Sequence, residues 1–163
     1  MARKEQLGEE AIGKAVLDAA FKVHSALGPG LLESVYEAAL ALELSKQGLS
    51  VERQKPVNVY YSGQLLEVGF RADLLVEGLV LVELKSVEHV TPLFQKIVTN
   101  YIRLIPVRLG FLINFNEAHL KNGIQRVTNG LEGKPFFGSE ASPSGPLPAF
   151  PSPPSRPSRD IQF

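Results

Sequence analysis

The sequence of 163 residues contains no cysteine. Disulfides, thiolate nucleophiles and thiolate metal sites are therefore excluded, and any metal must rest on oxygen or imidazole ligands, which favours hard cations. Long apolar runs are lacking too. No stretch approaches the roughly 18 residues of a membrane span, and Met1 to Glu10 is short and charged without an apolar centre, so a cytoplasmic location with no membrane association is expected. Nor is there an excess of one charge: 17 Lys plus Arg face 17 Asp plus Glu. A polyanion would have to be held by a local patch. There is no Gly-x-x-x-x-Gly-Lys phosphate loop, and His24, His89 and His119, the three histidines, stand at no ligand spacing from one another.

What is present is 44% apolar residues in a chain long enough to bury one core. From Glu9 to Leu27 apolar residues recur at three- and four-residue steps, which predicts an amphipathic helix ending at Gly28-Pro29-Gly30. A second helix is expected from about Leu31 to Gln47, with Gly48 at its C-terminal cap. Val51 to Tyr61, about Leu65 to Val76, and Leu79 to Ser86 are predicted strands, joined through Ser62-Gly63-Gln64 and Glu77-Gly78 into an antiparallel meander. A further helix follows Pro92 and stops at Pro106, Val107 to Phe115 is a buried, central strand, and a last helix is expected from about Glu117 to Val127. The order is ααβββαβα, a mixed sheet flanked by helices in an α/β chain of α+β arrangement. Residues 1–8 are expected to form a flexible start, 9–130 the domain, and 131–163 a disordered Pro/Ser/Gly-rich tail, where eight of the twelve prolines lie. Its Pro-x-x-Pro spacings could serve a protein partner.

Chemistry concentrates on two of these strands. Glu83 and Lys85, two apart, share one strand face, while Val82 and Leu84 point the other way. Asp73 sits on the preceding strand across a tight turn, so both carboxylates can approach one hydrated cation. Mg²⁺ suits that pair, since it takes one or two carboxylates, several waters and a phosphate. Lys85 could then orient or deprotonate the attacking water, or neutralise charge developing on the phosphate. The ordinary reading of acid-x-Lys is a solvated face with a cross-strand ion pair. Against it, the pair emerges at the end of a strand that is apolar on both faces.

Gly30-Leu31-Leu32-Glu33-Ser34-Val35-Tyr36 resembles the signature of the GxxExxY family, grouped within the PD-(D/E)XK nuclease superfamily. The likeness continues through His24 to Gly28, Arg71-Ala72-Asp73-Leu74-Leu75, Val82-Glu83-Leu84-Lys85 and Leu112-Ile113-Asn114-Phe115. It implies a restriction-endonuclease-like core with Glu33 as a catalytic acid on a helix, Asp73 and Glu83 as ligands of Mg²⁺ or Mn²⁺, and Lys85 as the catalytic lysine. It further implies hydrolysis of nucleic acid, with DNA the expected substrate. Tyr36 could bond Glu33 or pack in the core with a polar handle, the reading preferred here, and His24 matches a family position. Two departures stand out. Ala72 replaces the name-giving proline, and Ile97 occupies the position four before Tyr101 where relatives often carry Gln. Gln95 lies roughly 200° around the helix from Ile97 and cannot replace it. A binding or regulatory module that retains the fold without cleaving is the alternative.

Overall fold

The computed structural model describes residues 7–66 and 69–130; the expected tail and most of the expected flexible start lie outside them. Helix α1, Glu9–Leu27, has the expected bounds, and α2 follows at Glu33–Lys46. Buried Ile12, Val16, Ala20 and Val23 on α1 and Tyr36, Leu40 and Leu44 on α2 form one apolar layer. Strands β1 (Val51–Val57), β4 (Phe70–Val76) and β5 (Val80–Lys85) form the antiparallel meander. Between β1 and β4 the chain makes a separate two-stranded ribbon, β2 (Tyr60–Tyr61) with β3 (Gln64–Leu65). Glu77 and Gly78 both have positive φ, 52° and 68°, in a tight turn closed by the Leu79 amide donating to the Val76 carbonyl at 3.0 Å, with three residues between the paired Val76 and Val80.

Helix α3 (Pro92–Leu104) returns the chain so that β6 (Leu109–Asn114) pairs parallel to β5, as a crossover helix allows. All six residues of β6 are buried, because α1 lies on one face and α3 on the other. Glycines make both approaches possible. A Cβ on Gly13 would stand 2.9 Å from Leu109, and one on Gly110 would stand 2.8 Å from Ile102 of α3. The five-stranded sheet has the order β1-β4-β5-β6-β7, so β6 is internal and β5 is the central strand. The result is the expected α+β class, a mixed sheet flanked by helices.

The last expected helix is a correction. Residues 120–123 form one 3-10 turn and Ile124–Thr128 is a strand, β7, antiparallel to β6. Apolar steps at Leu120, Ile124 and Val127 fit a helix, but β6 would otherwise leave a row of backbone groups unpaired at a buried edge, and pairing satisfies them. Alternation fits as well: Ile124 packs toward α1 and α2, Val127 toward α3. Among the described residues no helix is long and apolar enough to cross a membrane.

Candidate active site

The candidate site begins where the sheet forks. The β4–β5 ladder runs through Val76↔Val80, Leu75↔Leu81 and Leu74↔Val82 and then stops. On the next rung side chains take over from backbone: the Asp73 amide donates to Glu83 Oε1 at 3.1 Å, and the Leu84 amide donates to Asp73 Oδ2 at 2.8 Å. Beyond this rung β4 stays with β1 as far as Val57↔Phe70, while β5 stays with β6 as far as Lys85↔Asn114. Two carboxylates thus fill the apex of a wedge between diverging strands. Alternation explains how Glu83 comes there: Val82 and Leu84 are buried against α1 and α2, Leu81 against α3, and Glu83 and Lys85 follow Leu81 onto the α3 side.

Burial and mutual repulsion set the charge state of the pair. The Glu83 carboxyl, 5% exposed, is pushed up to about 8 by burial first and by the Asp73 charge second. Asp73 is raised by burial, with the Leu84 amide and Lys85 opposing and Glu37 adding to the rise. Glu33 is raised by burial too, and Lys85 is the strongest opposing influence. The Tyr101 hydroxyl is pushed up to about 12 by burial, then by the charges of Glu83 and Asp73. Tyr101 on α3 is thus within electrostatic reach of both acids.

Lys85 joins two elements at the mouth of the wedge. Its Nζ is 3.6 Å from Glu33 Oε1 on the first turn of α2 and 5.1 Å from the centroid of the Phe94 ring on α3. Ser86 clips the start of α2 to the end of β5: its hydroxyl donates to the Leu31 carbonyl at 2.6 Å, and its backbone is among the influences that hold the Glu33 carboxyl down against burial. Buried Asn114 secures the chain after β5, accepting from the Val87 amide at 3.0 Å and donating to the Val87 carbonyl at 2.9 Å.

Asp73 and Glu83 suit a hard divalent cation in donor chemistry. Both offer oxygen, their negative charges oppose each other in a buried apex, and Mg²⁺ needs only one or two carboxylates with water completing its shell. Among the described residues no group of three or more His, Asp or Glu side chains has metal-holding spacing. Glu33 is instead drawn to Lys85.

The remaining expected residues divide. Tyr101 stacks on Phe70 with ring centroids 4.2 Å apart. Tyr36 is fully buried, stacks on Phe115 at 4.5 Å, and bonds the Gly28 carbonyl and the Leu31 amide. It therefore shapes the turn that delivers Glu33. His24 Nε2 meets the Glu117 carbonyl at 2.8 Å. The main-chain carbonyl of Gln95 accepts from Thr99. Ile97 is half-buried and lies next to Tyr101 on α3. Sequence reasoning gave no part to Glu37, Gln54 or Ser86, and it used Asn114 only as a motif residue. Gln54 Nε2 donates to Glu37 Oε2 at 2.6 Å and to Asp73 Oδ1 at 3.3 Å, while Arg53 holds Glu37 Oε1 at 2.9 Å. Only Asn114 left a signal, as a polar residue inside an apolar run.

A family model of the PD-(D/E)XK nuclease superfamily matches residues 10–127. No curated protein matches the chain. Among solved structures, the crystal structure of SSO0001 is similar, with 16% identity and a TM-score of 0.46 over 76% of this chain and 60% of that one. The chain thus spans about 60% of that protein's length.

Proposed function

Since the chain belongs to the PD-(D/E)XK nuclease superfamily, we propose that the β4–β5 wedge is a site of metal-dependent phosphodiester hydrolysis acting on nucleic acid, with DNA as substrate. The observation that carries this reading is the carboxylate pair at the apex, Asp73 and Glu83, bonded to each other's strand with Lys85 two residues on. In this reading Asp73 and Glu83 hold Mg²⁺ or Mn²⁺, which would supply phosphate polarisation and a more acidic water. Lys85, fixed between Glu33 and Phe94, directs its ammonium at the scissile phosphate and neutralises the charge that develops there. An ammonium already paired with a carboxylate is suited to that task rather than to proton abstraction. Glu33 holds Lys85 in place, and the Tyr101 hydroxyl offers a neutral hydrogen bond beside the acids. The Gly30 to Tyr36 motif supports placement within the GxxExxY family, and the cytoplasm is the location we assign.

One observation favours a second reading, a nuclease fold that binds without cleaving: apolar Ile97 stands beside Tyr101, where an amide could have reached substrate. A nuclease assay with Mg²⁺ or Mn²⁺ on single- and double-stranded DNA and RNA separates the two, with Asp73→Ala as the control against contaminating nucleases. Metal-dependent cleavage that vanishes in Asp73→Ala supports hydrolysis. Metal and nucleic-acid binding without cleavage supports the second reading, and cleavage that survives Asp73→Ala removes the wedge from consideration.

A further inference from the structure

Gln54 breaks the geometry of its own strand at the rung opposite Asp73. On either side the β1–β4 register is constant, Arg53↔Leu74 before and Lys55↔Ala72 after, so no residue is inserted. Yet Gln54 has φ 50°, within a strand and without being glycine, a conformation that L residues seldom adopt and that persists only when surroundings hold it. The faces of both strands reverse there. On β1, Val51 packs with the α1 and α2 layer but Val57 with α3; on β4, Leu74 and Val76 pack with α1 and α2 but Phe70 and Ala72 with α3. Regular alternation forbids all four placements together.

The reversal puts two consecutive side chains, Arg53 and Gln54, onto one carboxylate. Glu37, 6% exposed, accepts from Arg53 Nε and from Gln54 Nε2. The amide nitrogen of Gln54 carries two hydrogens, and the second points to Asp73 Oδ1. Both partners are carboxylates, which fixes the nitrogen rather than the oxygen toward them. A neutral donor therefore lies between two acids, anchored on the buried one and bearing on the one at the wedge apex.

We propose that Gln54 is a positioning residue of the wedge site: anchored on Glu37, its amide sets the orientation in which the Asp73 carboxylate presents itself to a divalent cation. This rests on the hydrolytic reading above for its function but on the backbone reversal for its geometry. The rival account is that the reversal merely twists an edge strand away from other strand edges.

Gln54→Gly tests it, because glycine accepts the left-handed φ without strain and removes only the amide. Two readouts are taken on the full chain: amide hydrogen exchange at Leu84, whose N–H bonds Asp73, with Val82 as internal reference, and calorimetric titration with Mn²⁺. Positioning predicts about tenfold faster exchange at Leu84 with Val82 unchanged, and Mn²⁺ affinity weaker by about tenfold or more, the usual effect of losing a group that orients a ligand. Gln54→Asn, which also tolerates positive φ but is one methylene too short, should act in the same direction and serves if the glycine variant does not fold. Unchanged exchange at Leu84, or unchanged affinity in a protein that binds Mn²⁺, overturns the proposal in favour of the edge-strand account. Should the unmodified protein bind no Mn²⁺, the hydrolytic reading falls, and exchange at Leu84 alone decides whether Gln54 holds Asp73.

Discussion

Glu83 is buried beside a second carboxylate, so its proton is tied to folding. Its carboxyl titrates near 4.5 when unfolded and at about 8 when folded, so the folded state binds more protons between those values. Stability contributed by neutral Glu83 is fully present below about 4.5 and is lost as pH rises through about 8. In chelator, the unmodified protein should therefore lose on the order of 3 kcal/mol between about pH 5 and about pH 9, and Glu83→Gln should flatten most of that slope. The amide suits the site, since its oxygen can still accept from the Asp73 backbone and its nitrogen can donate to the Asp73 carboxylate. Denaturant melts at the two pH values decide the matter, and equal slopes in both proteins would show that Glu83 is not the group responsible. Glu83 and Lys85 were legible in sequence because alternation along a strand needs no tertiary information. Gln54 was not, since its approach to Asp73 depends on a left-handed residue inside a predicted strand. Glu37 was hidden for a similar reason: on a helix it reads as one more exposed acid, and only the packing of α2 on β1 buries it.

At the scale of elements, the position of α3 governs how closely Tyr101 and Phe94 approach the wedge. Gly110 sets that position, because a Cβ there would meet Ile102 Cγ2 at 2.8 Å and Val98 Cγ1 at 3.1 Å. Both contacts are β-branched side chains with little rotamer freedom. Gly110→Ala should accordingly destabilise by about 1–3 kcal/mol through overpacking, read as a fall in denaturation midpoint, whereas a neutral result would mean that α3 slides freely on β6. Ile97 gives the opposite expectation. It is half-buried and belongs to neither apolar cluster, so Ile97→Gln should change stability by less than about 1 kcal/mol. A larger loss would place it in the core. Helices with a full apolar stripe, α1 and α3, were legible because 3.6-residue periodicity is local. The segment after Asn116 misled because its few apolar residues fit either period, and the unpaired edge of β6, visible only in the assembled sheet, decided for a strand. The β2–β3 ribbon interrupts what reads in sequence as one continuous strand pair, since the turn chemistry at Ser62-Gly63 shows where the chain reverses but not which sheet its arms join.

For the molecule as a whole, the balance of 17 cationic against 17 acidic residues means that no general field draws in a polyanion, so the wedge must supply local attraction for any cation or phosphate it takes. The superfamily reading makes a quantitative demand on stability. A cation that binds the folded chain and not the unfolded one stabilises by the logarithm of its occupancy, about 1.4 kcal/mol at ten times the dissociation constant. Asp73→Asn should abolish that increment, because an amide is a poor ligand for a hard divalent ion. In chelator the same substitution should leave stability unchanged or raise it. It removes the charge that, together with burial, forces Glu83 to keep a proton up to about pH 8, and the amide oxygen can still accept from Leu84, so the side-chain rung that replaces the ladder survives. The expected pattern is thus a pair of results, a lost increment in Mn²⁺ and no loss in chelator, measured by denaturant melts of both proteins. Had Asp73 simply been a surface acid held by a neighbouring cation, removing its charge would destabilise the chain slightly and metal would add nothing to either protein. A metal-independent loss of stability in Asp73→Asn, with no Mn²⁺ increment in the unmodified chain, would therefore end the case for a cation at the fork of the sheet.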